Sequence, residues 1–93
     1  MNADSVVTVY GNEGCAYCSA ARMLLTRKGV RFQDIVVSGD ADRLAEMQQR
    51  SGRRTVPQVF IGDHHVGGFD DLCALDRSGE LDTLLAENAG TSG

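Results

Sequence analysis

Cys15-Ala16-Tyr17-Cys18 sets two thiols one helical turn apart, directly after a β-branched run and the glycines Gly11 and Gly14. If a helix begins at this point, its unpaired backbone N–H groups and partial positive charge favour a thiolate over a thiol. Cys15, at that terminus, is the candidate nucleophile. Cys18 lies on the same face and within reach to close a disulfide with it. The pair reads as a redox switch. A structural zinc half-site is the competing reading; zinc needs about four ligands, and only Cys73, His64 and His65 remain as further thiol or imidazole donors.

The pattern on either side supplies the elements that must hold these thiols. Val6 to Tyr10 predicts a strand ended by Gly11, and Ala20, Ala21, Leu24 and Leu25 recur at helical spacing until Gly29. Arg31 to Val37 is β-branched and aromatic, which predicts a second strand and completes a β-α-β unit. Ser38-Gly39-Asp40 offers a turn and an N-cap for an amphipathic surface helix that carries Leu44 and Met47 and stops at Gly52. Val59-Phe60-Ile61, the turn Gly62-Asp63 and His64-His65-Val66 predict a hairpin, with Val59, Phe60 and Phe32 in the core and both histidines solvated. From Asp70 or Asp71, the leucines at 72, 75, 81, 84 and 85 predict one or two helices interrupted at Ser78-Gly79, with 88–93 a flexible tail. Cys73, among these leucines, reads as a small core residue.

The order β-α-β-α-β-β-α suits an α/β fold, a four-stranded mixed sheet flanked by helices. A Cys-x-x-Cys beside a β-α-β unit in a cytosolic protein points to a thioredoxin-like redox motif. The 93 residues, 42% of them hydrophobic, fit one domain over 1–93 with its core at about 6–87. A net charge of -4 argues against nucleic acid as a partner. Short apolar stretches and a polar N-terminus give no membrane span and no export signal, and three clustered cysteines do not make a secreted disulfide scaffold. The expected compartment is cytoplasmic.

Three segments now combine. Cys15-Ala16-Tyr17-Cys18, Thr55-Val56-Pro57-Gln58-Val59-Phe60-Ile61 and Gly67-Gly68-Phe69-Asp70-Asp71-Leu72 resemble, in order and spacing, the signatures of dithiol glutaredoxins of the glutaredoxin 3-like group, over roughly residues 6 to 87. The resemblance implies a monomeric enzyme that reduces protein disulfides and glutathione mixed disulfides, Cys15 attacking and Cys18 resolving. Glutathione would be reductant and co-substrate, with no metal. Partners would be disulfide-bonded or glutathionylated proteins, ribonucleotide reductase among them.

The resemblance also implies a binding surface. Pro57 would follow a cis peptide, and the N–H and C=O of Val56, beside Thr55, would pair with the cysteinyl part of glutathione. Gly67-Gly68 would permit close approach, and the N–H groups of Asp70 and Asp71 would hold the γ-glutamyl carboxylate. The Asp71 carboxylate would accept from the α-amino group, and Tyr17 and Arg43 would meet the glycyl carboxylate. Arg50, Arg53 and Arg54 read as a solvated face or as a steering patch. Two departures from the family matter. Ala16 replaces the usual proline and is expected to bring an extra amide donor to the Cys15 sulfur. Asn12 replaces a frequent lysine, which predicts a less acidic Cys15 or weaker glutathione binding. Other readings are a protein disulfide donor fed by thioredoxin reductase and a module binding a glutathione-ligated [2Fe-2S] cluster.

Overall fold

Strand β1 (Val7–Gly11) is buried along its whole length because it runs between two neighbours and under helices on both faces. The computed structural model describes residues 7–90, with side chains described to residue 87. The sheet order is β2-β1-β3-β4. β1 pairs in parallel with β2 (Gln33–Val36) and antiparallel with β3 (Gln58–Ile61), which continues antiparallel to β4 (His64–Gly67). This is a thioredoxin-like four-stranded mixed sheet. The register sets Tyr10 opposite Gln58. The loop that leaves β1 at Gly11 therefore emerges beside Pro57.

Alternation along the strands divides the core in two. Val7, Val9, Val59 and Ile61 face one side, where they meet Ala21, Leu24 and Leu25 of α1 (Ala16–Arg27), Leu72 of α3 (Phe69–Ser78) and Leu81 of α4 (Glu80–Gly90). Tyr10, Ile35 and Phe60 face the other, covered by Met47 and Leu44 of α2 (Ala41–Ser51). The second helix begins and ends as its sequence predicts: the Asp40 carboxylate accepts from the Arg43 N–H at 3.1 Å, and Gly52 closes it in the left-handed region. Lys28, at the end of α1, pairs with Asp76 at 2.6 Å and Asp82 at 3.1 Å, tying α1 to both C-terminal helices.

Some boundaries differ from the sequence reading. β2 starts at Gln33; Phe32 precedes it and packs against the core from the loop. The C-terminal leucines form two helices, broken by Gly79 at φ 85°. The helical backbone of α4 runs on through 88–90, which the reading gave to the tail; Val6 and 91–93 lie outside the described residues. Among the described residues no helix is long and apolar enough to cross a membrane.

Candidate active site

Gly11 is where β1 yields to the dithiol. A Cβ there would lie 2.9 Å from Cys18 Sγ and 3.1 Å from Arg22 Nη2, so the sulfur and the guanidinium fill the space a side chain would need. Cys15 is the N-cap of α1, with extended backbone, and its Sγ accepts the Cys18 N–H at 3.4 Å. Its thiol is held below the ordinary range, first by the hydrogen bond that the Cys18 thiol donates, then by the N–H groups of Cys18 and Tyr17 and the charge of Arg22, against an opposing effect of burial. Cys18 is fully buried, and burial, followed by its hydrogen bond to Cys15, pushes its thiol up to about 11. The two sulfurs thus carry different roles. Cys15 is the partly exposed thiol whose ionisation is favoured, while ionisation of the buried Cys18 is disfavoured and its S–H donates to Cys15. All three cysteines are free thiols.

A groove of about 300 Å³ opens at Tyr17, two residues after Cys15, with Thr55, Val56 and Pro57 on one wall, Gly68 to Asp71 on the other, and Arg53 at its rim. The Val56-Pro57 peptide is cis, as the resemblance implied. Gln58 anchors the first wall from behind. It is completely buried; its Nε2 donates to the Thr55 carbonyl at 2.9 Å and to Thr55 Oγ1 at 3.1 Å, and its Oε1 meets His65 Nε2 at 2.7 Å. The second wall depends on Gly67, at φ 116°, where a Cβ would collide with Asp71 Oδ2. That oxygen accepts the Gly68 N–H at 3.0 Å and pairs with Arg53 Nη1 at 3.2 Å. The Gly68 N–H, then Arg53, hold the Asp71 carboxyl below its usual value. Asp70 and Asp71 stand in the first turn of α3, where backbone N–H groups have no partner within the helix.

A reactive thiol at a helix start, a buried partner and a cis-proline wall describe a site for exchanging disulfides with an extended thiol peptide. A family model described as Glutaredoxin matches residues 7–66. Glutaredoxin 3 of Escherichia coli is 53% identical over 79 residues, covering 85% of this chain and 95% of that protein. The chain belongs to the glutaredoxin family. Among solved structures, a glutaredoxin from Brucella melitensis is 53% identical with a TM-score of 0.76, covering 87% of this chain and 88% of that one. A buckwheat glutaredoxin–glutathione complex is 36% identical with a TM-score of 0.82, covering 89% of this chain and 78% of that one. With Cys15 and Cys18 both present, this is a dithiol glutaredoxin, closely related to the Escherichia coli protein. It is a glutathione-dependent thiol-disulfide oxidoreductase whose co-substrate is glutathione and whose partners are disulfide-bonded and glutathionylated proteins.

The glutaredoxin groove gathers Tyr17, Thr55, Val56, Pro57, Gly68, Asp70 and Asp71, and leaves out Arg43. Arg43 lies exposed on α2 and pairs with Glu46 at 3.3 Å, one turn away on its own helix. Arg53 is the arginine of the groove. Arg50 is also more than a solvated charge: it donates to Tyr10 Oη at 2.8 Å and lies 4.1 Å over the Phe60 ring. His64 is exposed as expected, but His65 is half-buried, stacked against Phe60 at 4.9 Å and bonded to Gln58. Burial first, then the charge of Arg53, lower its pKa.

Ala16 does not bring the expected donor; the N–H groups that reach the Cys15 sulfur are those of Tyr17 and Cys18. Asn12 acts through its backbone, its N–H bonding the Cys18 sulfur and its carbonyl accepting from Arg22 at 3.3 Å. Cys73 packs half-buried against the core. The ligand set of the zinc reading is not assembled: among the described residues no three His, Cys, Asp or Glu side chains converge.

Gln58 and Arg22 were missed as functional residues, and Arg53 was read only as part of a solvated face or steering patch. A polar residue directly after Pro57 at the head of an apolar strand was the available signal for Gln58. A cation one turn after Cys18 was the signal for Arg22.

Proposed function

We propose that Cys15 is the attacking thiolate, Cys18 the resolving thiol, and the groove from Tyr17 and Arg53 to Asp71 the glutathione site, within one glutaredoxin domain spanning 1–93 with its core at about 6–87. The observation that carries the reading is the opposite displacement of the two thiols, Cys15 below its ordinary range and Cys18 at about 11. Exchange proceeds through a thiolate, and an unperturbed cysteine with a pKa of ~8.5 is only a few per cent ionised at neutral pH. Lowering Cys15 alone gives one nucleophile and one reserve.

In this reading the cysteinyl backbone of glutathione lies along Val56 as an added strand, between the exposed Thr55 and the buried cis-Pro57. Its γ-glutamyl carboxylate meets the N–H groups of Asp70 and Asp71 at the start of α3. Gly68 allows the ligand backbone close, and the Asp71 carboxylate accepts from its α-amino group. Tyr17 and Arg53 take the glycyl end; Arg53 stands in the place first given to Arg43. Cys15 attacks the glutathione sulfur of a mixed disulfide and releases the protein thiol. A second glutathione thiolate then attacks that sulfur, yielding glutathione disulfide and restoring the Cys15 thiolate. With a protein disulfide, Cys18 displaces the substrate instead. A ribonucleotide reductase is one disulfide-bonded substrate this reading admits, and the cytoplasm is its compartment, which the cysteine usage supports.

Serine variants test the assignment on a glutathionylated peptide. Cys15→Ser abolishes turnover, whereas Cys18→Ser keeps it. Equal losses in the two variants would refute the division of labour. Turnover with glutathione and its reductase, compared with thioredoxin reductase alone, identifies the physiological electron source.

A further inference from the structure

Arg22 is a half-buried cation to which the exchange cycle above gives no task of its own. It follows Cys18 by one helical turn and shares its face of α1. Its Nε donates to Asp34 Oδ1 at 3.1 Å on β2, and its Nη2 donates to the Asn12 carbonyl at 3.3 Å. Those two contacts hold the guanidinium at the end of β1, where Nη2 and Cys18 Sγ approach the same point beside Gly11, 3.1 and 2.9 Å from it. The absent side chain at Gly11 is what brings them together. The groups facing the buried sulfur are therefore the Cys15 thiol, the Asn12 N–H and the cation of Arg22, itself balanced by Asp34.

We infer that Arg22 is a positioning residue for the resolving half-reaction, stabilising the Cys18 thiolate as it attacks Cys15 and thereby favouring the two-cysteine route over the one-cysteine route. After Cys15 has attacked a protein disulfide, its sulfur is bonded to a substrate sulfur and carries no charge. Cys18 gives up its proton to water, and its electron pair forms the bond to Cys15 Sγ. The bond from Cys15 to the substrate breaks, and the substrate leaves as a thiolate that takes up a proton. The dithiol is oxidised by two electrons and the substrate disulfide reduced by two; two glutathiones later restore the dithiol.

A buried thiol that titrates near 11 forms that thiolate rarely at neutral pH, and the cation of Arg22 facing it works against the burial that raises it. Reduction of a glutathione mixed disulfide by Cys15 and free glutathione does not use Cys18 as a nucleophile, only as the hydrogen-bond donor to Cys15. There Arg22 acts only through Cys15, whose sulfur is already met by the Cys18 thiol and by the N–H groups of Cys18 and Tyr17.

The inference rests on Cys18 being the resolving thiol, which the serine variants test separately. Arg22→Gln removes the charge and keeps a donor for Asn12. In a Cys15→Ser background, thiolate absorbance followed against pH is expected to show Cys18 raised by about one unit when Arg22 becomes glutamine. In the otherwise unaltered chain, reduction of a protein disulfide slows about tenfold more than turnover of a glutathionylated peptide, and Arg22→Lys restores most of the difference. Asp34→Asn keeps the cation and removes its counter-ion, so it moves Cys18 downward; a merely structural ion pair would move it the same way as Arg22→Gln or not at all. The inference is overturned by an unmoved Cys18 titration in Arg22→Gln, by an upward shift in Asp34→Asn, or by equal losses on the two substrates.

Discussion

Two helix N-termini flank the groove, and they are built on opposite plans. α1 begins with a sulfur as its cap and no acidic residue in its first turn. α3 begins with a glycine and carries Asp70 and Asp71 in its first turn, with Asp71 already holding the Gly68 N–H. The same arrangement of amides serves two ends. At α1 it lowers the proton affinity of an anion that belongs to the chain. At α3 it is proposed to meet an anion that arrives from outside, beside a carboxylate that already holds the Gly68 N–H and pairs with Arg53. The absence of acid from the first turn of α1 is therefore as much a part of the site as the presence of acid at α3.

Breaking the α3 plan has the largest effect. Gly67→Ala forces a side chain into a left-handed backbone and against the Asp71 carboxylate; about 1–3 kcal/mol of stability is lost, read by denaturant unfolding, and the KM for glutathione rises. Making α1 resemble α3 comes next. Ala16→Asp introduces a like charge beside the thiolate, so the Cys15 pKa climbs by roughly half to one unit and alkylation at neutral pH slows several-fold.

Asp71→Asn is milder, costing about 0.5–1 kcal/mol as a weakened cap and raising the KM for glutathione. It also alters pH dependence with a defined sign. The folded-state carboxyl titrates below its ordinary 3.8, so the unfolded chain binds that proton more readily. The stabilisation is complete above the ordinary value and is lost as pH falls through the depressed one; Asp71→Asn flattens that acid limb. The smallest effect separates two arginines: Arg53→Ala raises the KM for glutathione about two- to threefold, a contact worth below ~1 kcal/mol at an exposed pair, while Arg43→Ala leaves it unchanged. A KM that responds to Arg43 instead would restore the original assignment.

Local rules made most of the scaffold readable before any coordinates. Gly11 and Gly14 before the cysteines, Asp40 and Gly52 around α2, and the turn at Gly62-Asp63 are each decided by a few neighbouring residues, and each lies where the sequence put it. Arg43 was misplaced because its nearest partner, Glu46, sits at helical spacing on its own element, whereas Arg53 reaches the groove only through the packing of α3 against the sheet. His65 looked solvated because its burial depends on Gln58 and Phe60 across a hairpin pair and on the position of Thr55 beyond them. Arg22 meets Cys18 over a glycine in another element. What stayed hidden in the sequence is the set of contacts between side chains whose elements must first be assembled.

β1, buried on both faces and paired on both edges, has a consequence for motion. Protons on such a strand leave only when the domain opens as a whole, while those of a loop or a helix end leave through small local openings. In a hydrogen-exchange experiment the slowest amides of this chain are expected along Val7 to Gly11, a few residues upstream of its most reactive atom. The thiol can be oxidised, bonded to a foreign peptide and released again while the strand that anchors its loop keeps its protons.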